Sequence, residues 1–255
     1  MKKQPQPGSS KRSGGKTAVA AVVKLSDSAA PPPWSVEPLW KGGTAAIFAG
    51  GPSITKAQCE RCRDAGLYTI AINDAYRLAP WADILYFCDP RWWEWHKNNA
   101  EFKAFVGMKV TLRPTIAKLD RSVRWLKEAG LRGLETQSNG LKTGNNSGYQ
   151  AIGLAVHLGV SKIILLGYDM KQAANGKWHW FGNHPNTNPT LSLADTWKVN
   201  YTYMVKPLAE RGVKVLNATP GSALESFQKV SLDDVVGRIA DRLQPSSESL
   251  RGQAS

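Results

Sequence analysis

The chain has 255 residues and a mass of 27.9 kDa, a length that suits one domain with or without tails. Its 42% hydrophobic content and ten tryptophans suffice for a packed core, and a formal charge of +13 favours an anionic partner: a nucleotide, a polyphosphate or nucleic acid. Three cysteines exclude an even disulfide set and no run approaches the ~20 apolar residues of a membrane span, so a soluble, cytoplasmic protein is expected.

Residues 1–33 read as a disordered basic tail rich in Gly, Ser, Pro and Lys. Lys2, Lys3, Lys11, Arg12, Lys16 and Lys24 meet no acid within the first 24 residues, a pattern that suits weak nucleic-acid contact. The apolar run Ala18–Val23 is too short for the core of a signal peptide. Residues 34–243 form the expected domain, and 244–255 a frayed C-terminal tail.

Within the domain, short aliphatic runs alternate with helical spacing. Thr44–Ala49 is the first expected strand; Gly50-Gly51-Pro52-Ser53 follows, then a helix from about Thr55 to Ala65. That helix carries Cys59 and Cys62, a C-x-x-C in a charged run; a zinc site would need two more ligands, so the pair is structural or incidental. Tyr68–Ile72 is the second strand and ends at Asn73-Asp74; Ile84–Cys88 is the third and ends at Asp89-Pro90. The run Arg91–Phe105 reads as helical, and its Trp92-Trp93-Glu94-Trp95-His96 cluster as core or interface. Met108–Leu112 is a possible fourth strand. Ile116–Arg132 is ambiguous, with a helix expected around Ser122–Ala129.

The loop Thr143–Gly148 then opens an apolar helix over 147–158, in which His157 reads as a packed histidine. Lys162–Leu166 is a strand that ends in Gly167-Tyr168-Asp169 and releases a polar loop. Leu193–Arg211 has helical spacing, Lys214–Asn217 is a further strand, and Leu232–Leu243 a final helix. Short continuous apolar strands between helices predict a doubly wound, mostly parallel, Rossmann-like α/β domain.

In such a sheet ligands bind beyond the carboxyl ends of the strands. The residues that follow the expected strands are Gly50–Ser53, Asn73-Asp74, Asp89, the Thr143–Gly148 loop, Asp169 and Asn217. Small residues before a helix let N–H groups approach an anion, so the 143–148 loop reads as the floor of a phosphate site. Gly50–Ser53 matches neither the dinucleotide fingerprint nor the P-loop, which argues against both a dehydrogenase and a P-loop kinase.

From Ala45 to Leu224, one ordered set of motifs resembles a known superfamily: Gly50-Gly-Pro-Ser53, Ile72-Asn73, Asp89-Pro90, Asn146-Ser-Gly-Tyr149, Leu158-Gly159, Ile163–Asp169 and His184-x-x-Asn-Thr-Asn188. It is similar to the CMP-sialic acid-dependent bacterial sialyltransferases, the motility accessory flagellin-glycosylation proteins and the 6-hydroxymethylpterin diphosphokinases, and a short phage-borne member would be compatible. The resemblance implies a nucleotide held by Gly51, Ser53, Asn73, Asp89, Ser147 and Gly148, with His184 as catalytic base; their strand-end and loop neighbours Gly50, Pro52, Asn146 and Asp169 complete the expected nucleotide site. Where the sialyltransferases hold the leaving phosphate with two tyrosines, this chain has Lys171 and Trp178-His179, so Lys171 or His179 takes that role.

Three readings follow. The first is a nucleotide-sugar-dependent glycosyltransferase that needs no cofactor. The second is a diphosphokinase that uses a nucleoside triphosphate, with Asp89 and Asp169 holding Mg²⁺. The third is a non-enzymatic nucleic-acid or assembly factor. The donor sugar, base, acceptor and oligomeric state are left open by the sequence.

Overall fold

The computed structural model describes residues 29–184 and 188–243, the last six of these by backbone only. The expected tail beyond residue 243 and most of the basic N-terminal segment lie outside the described residues. Residues 29–33, also assigned to the N-terminal tail, are described. There the carbonyl of Pro31 accepts from Trp125 Nε1 at 2.7 Å, and Trp34 N donates to Trp125 O at 2.8 Å.

One parallel sheet of eight strands forms the middle layer. In chain order these are β1 (Thr44–Phe48), β2 (Tyr68–Ile72), β3 (Ile84–Tyr86), β4 (Met108–Thr111), β5 (Val123–Trp125), β8 (Lys162–Leu166), β9 (Lys214–Asn217) and β10 (Gln228–Lys229). The spatial order is β10-β9-β8-β1-β2-β3-β4-β5. A two-stranded ladder, β6 (Lys127–Glu128) with β7 (Gly140–Leu141), stands apart. The fold is a single-domain Rossmann-like α/β sheet.

The period-two alternation of the strands explains its two covered faces. Ala45 and Ile47 of β1, with Ile70, Ile84, Ile163 and Leu165, enter one core layer. Their neighbours Ala46 and Phe48, with Ala71, Leu85, Ile164 and Leu166, enter the other. The helices α5 (Ser147–His157) and α6 (Leu191–Glu210) supply Tyr149, Ile152, Leu154, Tyr201, Met204 and Leu208 to the first layer. The second is closed by α1 (Lys56–Asp64), α2 (Pro90–His96), α3 (Ala100–Ala104), α4 (Pro114–Leu119) and α7 (Leu232–Leu243). Cys59 and Cys62 are buried there as free thiols, pushed up to about 12 chiefly by burial, which fits a packing role.

Two expectations need correction. No helix spans Ser122–Ala129; that stretch forms β5 and β6. Val123, Arg124 and Trp125 pair with Lys109, Val110 and Thr111, so an otherwise open sheet edge claims the segment and the helix forms earlier, at Pro114–Leu119. Nor is Arg91–Phe105 one helix. It breaks between His96 and Ala100, which lets Trp92, Trp93 and Phe102 all reach the same core layer around Phe87. Among the described residues no helix is long and apolar enough to cross a membrane.

Candidate functional site

From β1 the chain proceeds outward through β2 to β5, then returns so that β8 and β9 lie on β1's other side. The reversal between β1 and β8 is a topological switch point, where open parallel sheets form a crevice. A cleft of about 670 Å³ opens there, beyond the carboxyl ends of β1, β2, β3 and β8 and beside the N-terminus of α5.

Of the residues singled out from the sequence, Gly50, Gly51, Asn73, Asp89, Asn146, Ser147, Gly148, Asp169, Lys171, His179 and His184 line this cleft. Pro52 and Ser53 do not. Ser53 lies beneath the loop, where its N–H and hydroxyl donate to the two carboxylate oxygens of Asp169 at 3.2 and 3.0 Å. Gly51 N donates to Gly167 O at 2.9 Å. A Cβ on Gly51 would collide with the Asp169 carboxylate and the Gly167 carbonyl. The first glycine loop therefore uses these N–H groups to build itself, and burial of Asp169 raises its pKa despite the Ser53 bonds.

The second loop is held by a tyrosine cluster. A Cβ on Gly148 would come within 2.7 Å of both Tyr168 Cε1 and the Tyr201 hydroxyl oxygen, and one on Gly144 would overlap the Tyr149 ring. Tyr201 OH donates to Asn146 Oδ1 at 2.8 Å, and Asn146 Oδ1 also accepts from Tyr149 N, capping α5. Gln150 ties the loop to β3, accepting from Tyr86 OH and donating to Thr143 O, each at 2.8 Å. The glycines thus serve close packing first; Ser147 and Gly148 still bring the first turn of α5 to the cleft wall.

Backbone strain gathers here as well. Among the described residues the three non-glycine positions with positive φ are Asn73 (49°), Asn145 (52°) and Met170 (52°), and all three line the cleft. Asn tolerates this region; Met does not readily.

The wall contributed by residues 178–184 carries the imidazoles. His179 and Gly182 exchange backbone hydrogen bonds at 3.0 Å, and Trp180 N donates to Gly50 O at 3.1 Å, which docks the turn on the first glycine loop. The His179 ring lies 4.7 Å from that of His184 and 5.1 Å from Phe181; Trp95 is 5.4 Å from His184 on the other side. Burial, and then the neighbouring His184, depress His179 to about 4. His184 is half-buried and also lowered, chiefly by burial and against the pull of Asp74 and Asp89. Burial thus biases both rings towards the neutral form. The Nε2 of His179 is buried without a hydrogen-bond partner among the described residues.

Asp74, placed at a strand end by the sequence but given no role there, also lines the cleft, with Arg91, Arg113 and Glu128, which no motif marks. Arg91 clasps Asp89 (2.8 Å), and Arg113 pairs with Glu128 (2.7 Å) while donating to Cys88 O. Burial alone would raise Asp89, but the bonds from Arg91 outweigh it and hold its carboxyl low. Applied to the end of β4, the strand-end rule points at Arg113. Four carboxylates (Asp74, Asp89, Glu128, Asp169) and three cations (Arg91, Arg113, Lys171) line the cleft, so the chain's positive charge is not concentrated there.

The remaining candidates are structural. Trp92 and Trp93 are core, and Trp95 is 38% exposed. His157 sits half-buried with Nε2 3.0 Å from Gly140 O.

No protein-family model matches the sequence, and no curated protein matches it. Among solved structures the chain is similar to a short-chain dehydrogenase from Oenococcus oeni PSU-1, at 11% identity over 79% of this chain and 89% of that one, with a TM-score of 0.26. It is also similar to a 3-ketoacyl-(acyl-carrier-protein) reductase from Brucella melitensis complexed with NADH, at 12% identity over 82% and 93% of the two chains, with a TM-score of 0.24. Likeness at that level carries no argument about ligand or activity. The Rossmann-like assignment rests on the sheet itself, and the resemblance to sialyltransferases and diphosphokinases rests on the motifs alone.

Proposed function

We propose that the chain is a nucleotide-sugar-dependent glycosyltransferase with His184 as its general base. The observation that carries this reading is the His184 imidazole, biased by burial towards its neutral form, on the wall of a switch-point cleft that also holds the first turn of α5 and Lys171. A neutral imidazole accepts a proton at working pH, and a helix N-terminus with a lysine suits phosphate oxygens. In the step envisaged, the acceptor hydroxyl oxygen bonds to the anomeric carbon of the donor. The bond from that carbon to the phosphate oxygen breaks, its electron pair leaves with the nucleotide, and the hydroxyl proton passes to His184. His179, whose pKa burial depresses to about 4, adds no positive charge, which leaves Lys171 as the cation for the leaving group.

The metal-dependent diphosphokinase reading fits the residues less well. Both oxygens of Asp169 already accept from Ser53, and both of Asp89 from Arg91. Among the described residues no group of three or more His, Cys, Asp or Glu side chains is placed to hold a metal ion. No step is routed through one.

Thermal shift with CMP, CDP, UDP, GDP and ATP, each with Mg²⁺ and with EDTA, tests the first half of the reading, because a ligand of the native state raises its Tm. Stabilisation by a pyrimidine nucleotide in EDTA is expected. His184→Ala should keep that shift while lowering turnover by roughly 10²- to 10⁴-fold. Stabilisation by ATP alone, only with Mg²⁺, would overturn the proposal in favour of the kinase.

A further inference from the structure

Asp74 has no role in the scheme above, yet it is a buried carboxylate in the cleft lining. It follows β2 in the short 3-10 helix Asn73–Arg77, whose first residue takes the strained positive φ noted above. Trp92 Nε1 donates to its Oδ2 at 2.8 Å, and His96 Nε2 lies 3.4 Å from its Oδ1. His96 stacks on Trp92 with centroids 4.2 Å apart, and its Nδ1 is 3.1 Å from the hydroxyl of Tyr76. With Nδ1 accepting from Tyr76, the ring carries its proton on Nε2, the nitrogen nearer the Asp74 carboxylate. Beyond this assembly stand His184, packed on Trp95 from the same α2, and His179. Of the four histidines in the chain, His96 thus touches the carboxylate, while His179 and His184 line the same cleft as Asp74 and are drawn towards protonation by its charge.

We infer that Asp74 is a positioning residue for the cleft imidazoles, its negative charge stabilising the imidazolium formed when His184 accepts a proton. The inference rests on the proposed role of His184. Trp92 and His96 fix the carboxylate from behind, so its charge acts at a constant place, and a fixed charge in a water-poor site acts more strongly than a mobile one. The proton moves from the acceptor hydroxyl to His184 and stays there, while Asp74 receives none. This is the division of labour between a base and the carboxylate that supports it.

The charged and titratable groups around the cluster are Arg77 and its partner Glu101 (3.2 Å), Asp89 with Arg91, Tyr76, and the three histidines themselves. Arg77 opposes the protonation of His96, and Arg91 that of His184; Asp74 and Asp89 favour that of His184. Removing the Asp74 charge while keeping its shape therefore leaves a less balanced positive surround.

The test is an NMR titration of the histidine rings in the full chain, assigned with single His→Gln variants, in the wild type and in Asp74→Asn. Asparagine keeps an oxygen for Trp92 Nε1. His184 should lose about half a unit or more from its titration midpoint, since loss of a nearby opposite charge disfavours the charged ring. His157, at the far end of α5 and about 15 Å from its first turn by helical rise, should not move and serves as the internal control. An unchanged His184 midpoint in folded Asp74→Asn overturns the inference. Should that variant fail to fold, Asp74→Ser also removes the charge while keeping an oxygen for Trp92 Nε1, and a His184 midpoint equal to wild type there overturns it equally. Midpoints that shift as expected in a protein that turns over no nucleotide sugar would leave the coupling standing and remove the glycosyltransferase reading instead.

Discussion

The two walls of the cleft are built on opposite principles. On the β1–β8 side the polar groups are consumed by construction: Gly51 N bonds Gly167 O, and Ser53 occupies both oxygens of Asp169. On the 178–184 side they are left over. The Nε2 of His179 and the Nε1 of Trp180 are buried without partners among the described residues, and burial biases two imidazoles towards the neutral form. Buried polar groups are ordinarily satisfied. A wall that has met its own needs sets shape, and one that has not offers recognition and proton transfer.

Substitution at Gly51 gives the largest expected effect and tests the shaping wall. A methyl group there meets the Asp169 carboxylate and the backbone of Gly167, neither of which can retreat. Gly51→Ala should cost about 3 kcal/mol or more, read as a shifted denaturant midpoint, with nucleotide binding lost alongside. A fully stable Gly51→Ala would mean that the loop is not the rigid template described.

Acid tests the other wall. His179 has a folded-state pKa depressed to about 4 from an ordinary value near 6.5, so protonation favours the unfolded chain. Its contribution is complete above about pH 6.5 and is lost as pH falls towards 4. The loss should be on the order of 2–3 kcal/mol, followed by chemical denaturation across that window. His179→Gln should flatten the slope, and an unchanged slope would show the ring to be solvated.

A glycine on the recognition side sharpens the contrast with Gly51. Gly176 has a φ of +77°, but a Cβ there would meet nothing within 4 Å. Gly176→Ala should therefore cost only backbone strain, about 1–2 kcal/mol. A loss as large as that of Gly51→Ala would mean that the 170–184 segment is packed as tightly as the first wall.

How far these walls could be read from the sequence follows the same division. The strands were legible because each is a short apolar run bounded by Gly, Asn or Asp, and Tyr68–Ile72, Lys162–Leu166 and Lys214–Asn217 match their expected bounds. Eleven of the expected site residues meet in one cleft because strand ends in a parallel sheet must share an edge. Val123–Trp125 was not legible as a strand, since its conformation is set by the vacant edge of β4, a partner no local window contains. Gly144 and Gly148 were assigned to anion approach, whereas their Cβ positions are filled by Tyr149, Tyr168 and Tyr201, the last 53 residues beyond Gly148. Asp74 was visible beside Asn73, but its contacts with Trp92 and His96 arise only when α2 packs against the 3-10 helix Asn73–Arg77.

The smallest expected effect separates building from binding at a single residue. Ser53 was expected among the nucleotide ligands, yet it lies under the loop with both donors turned to Asp169. Ser53→Ala removes the hydroxyl bond at 3.0 Å and keeps the N–H bond at 3.2 Å, so Asp169 retains one partner. The cost should be about 1 kcal/mol, the usual net worth of one such bond. Nucleotide affinity, read by the same thermal-shift panel at matched stability, should hardly change, because the residue removed faces the protein. A loss of affinity tenfold or greater in a variant that stays folded would place the Ser53 hydroxyl in the ligand's path, and the β1–β8 wall would then have to be counted as a recognition surface as well.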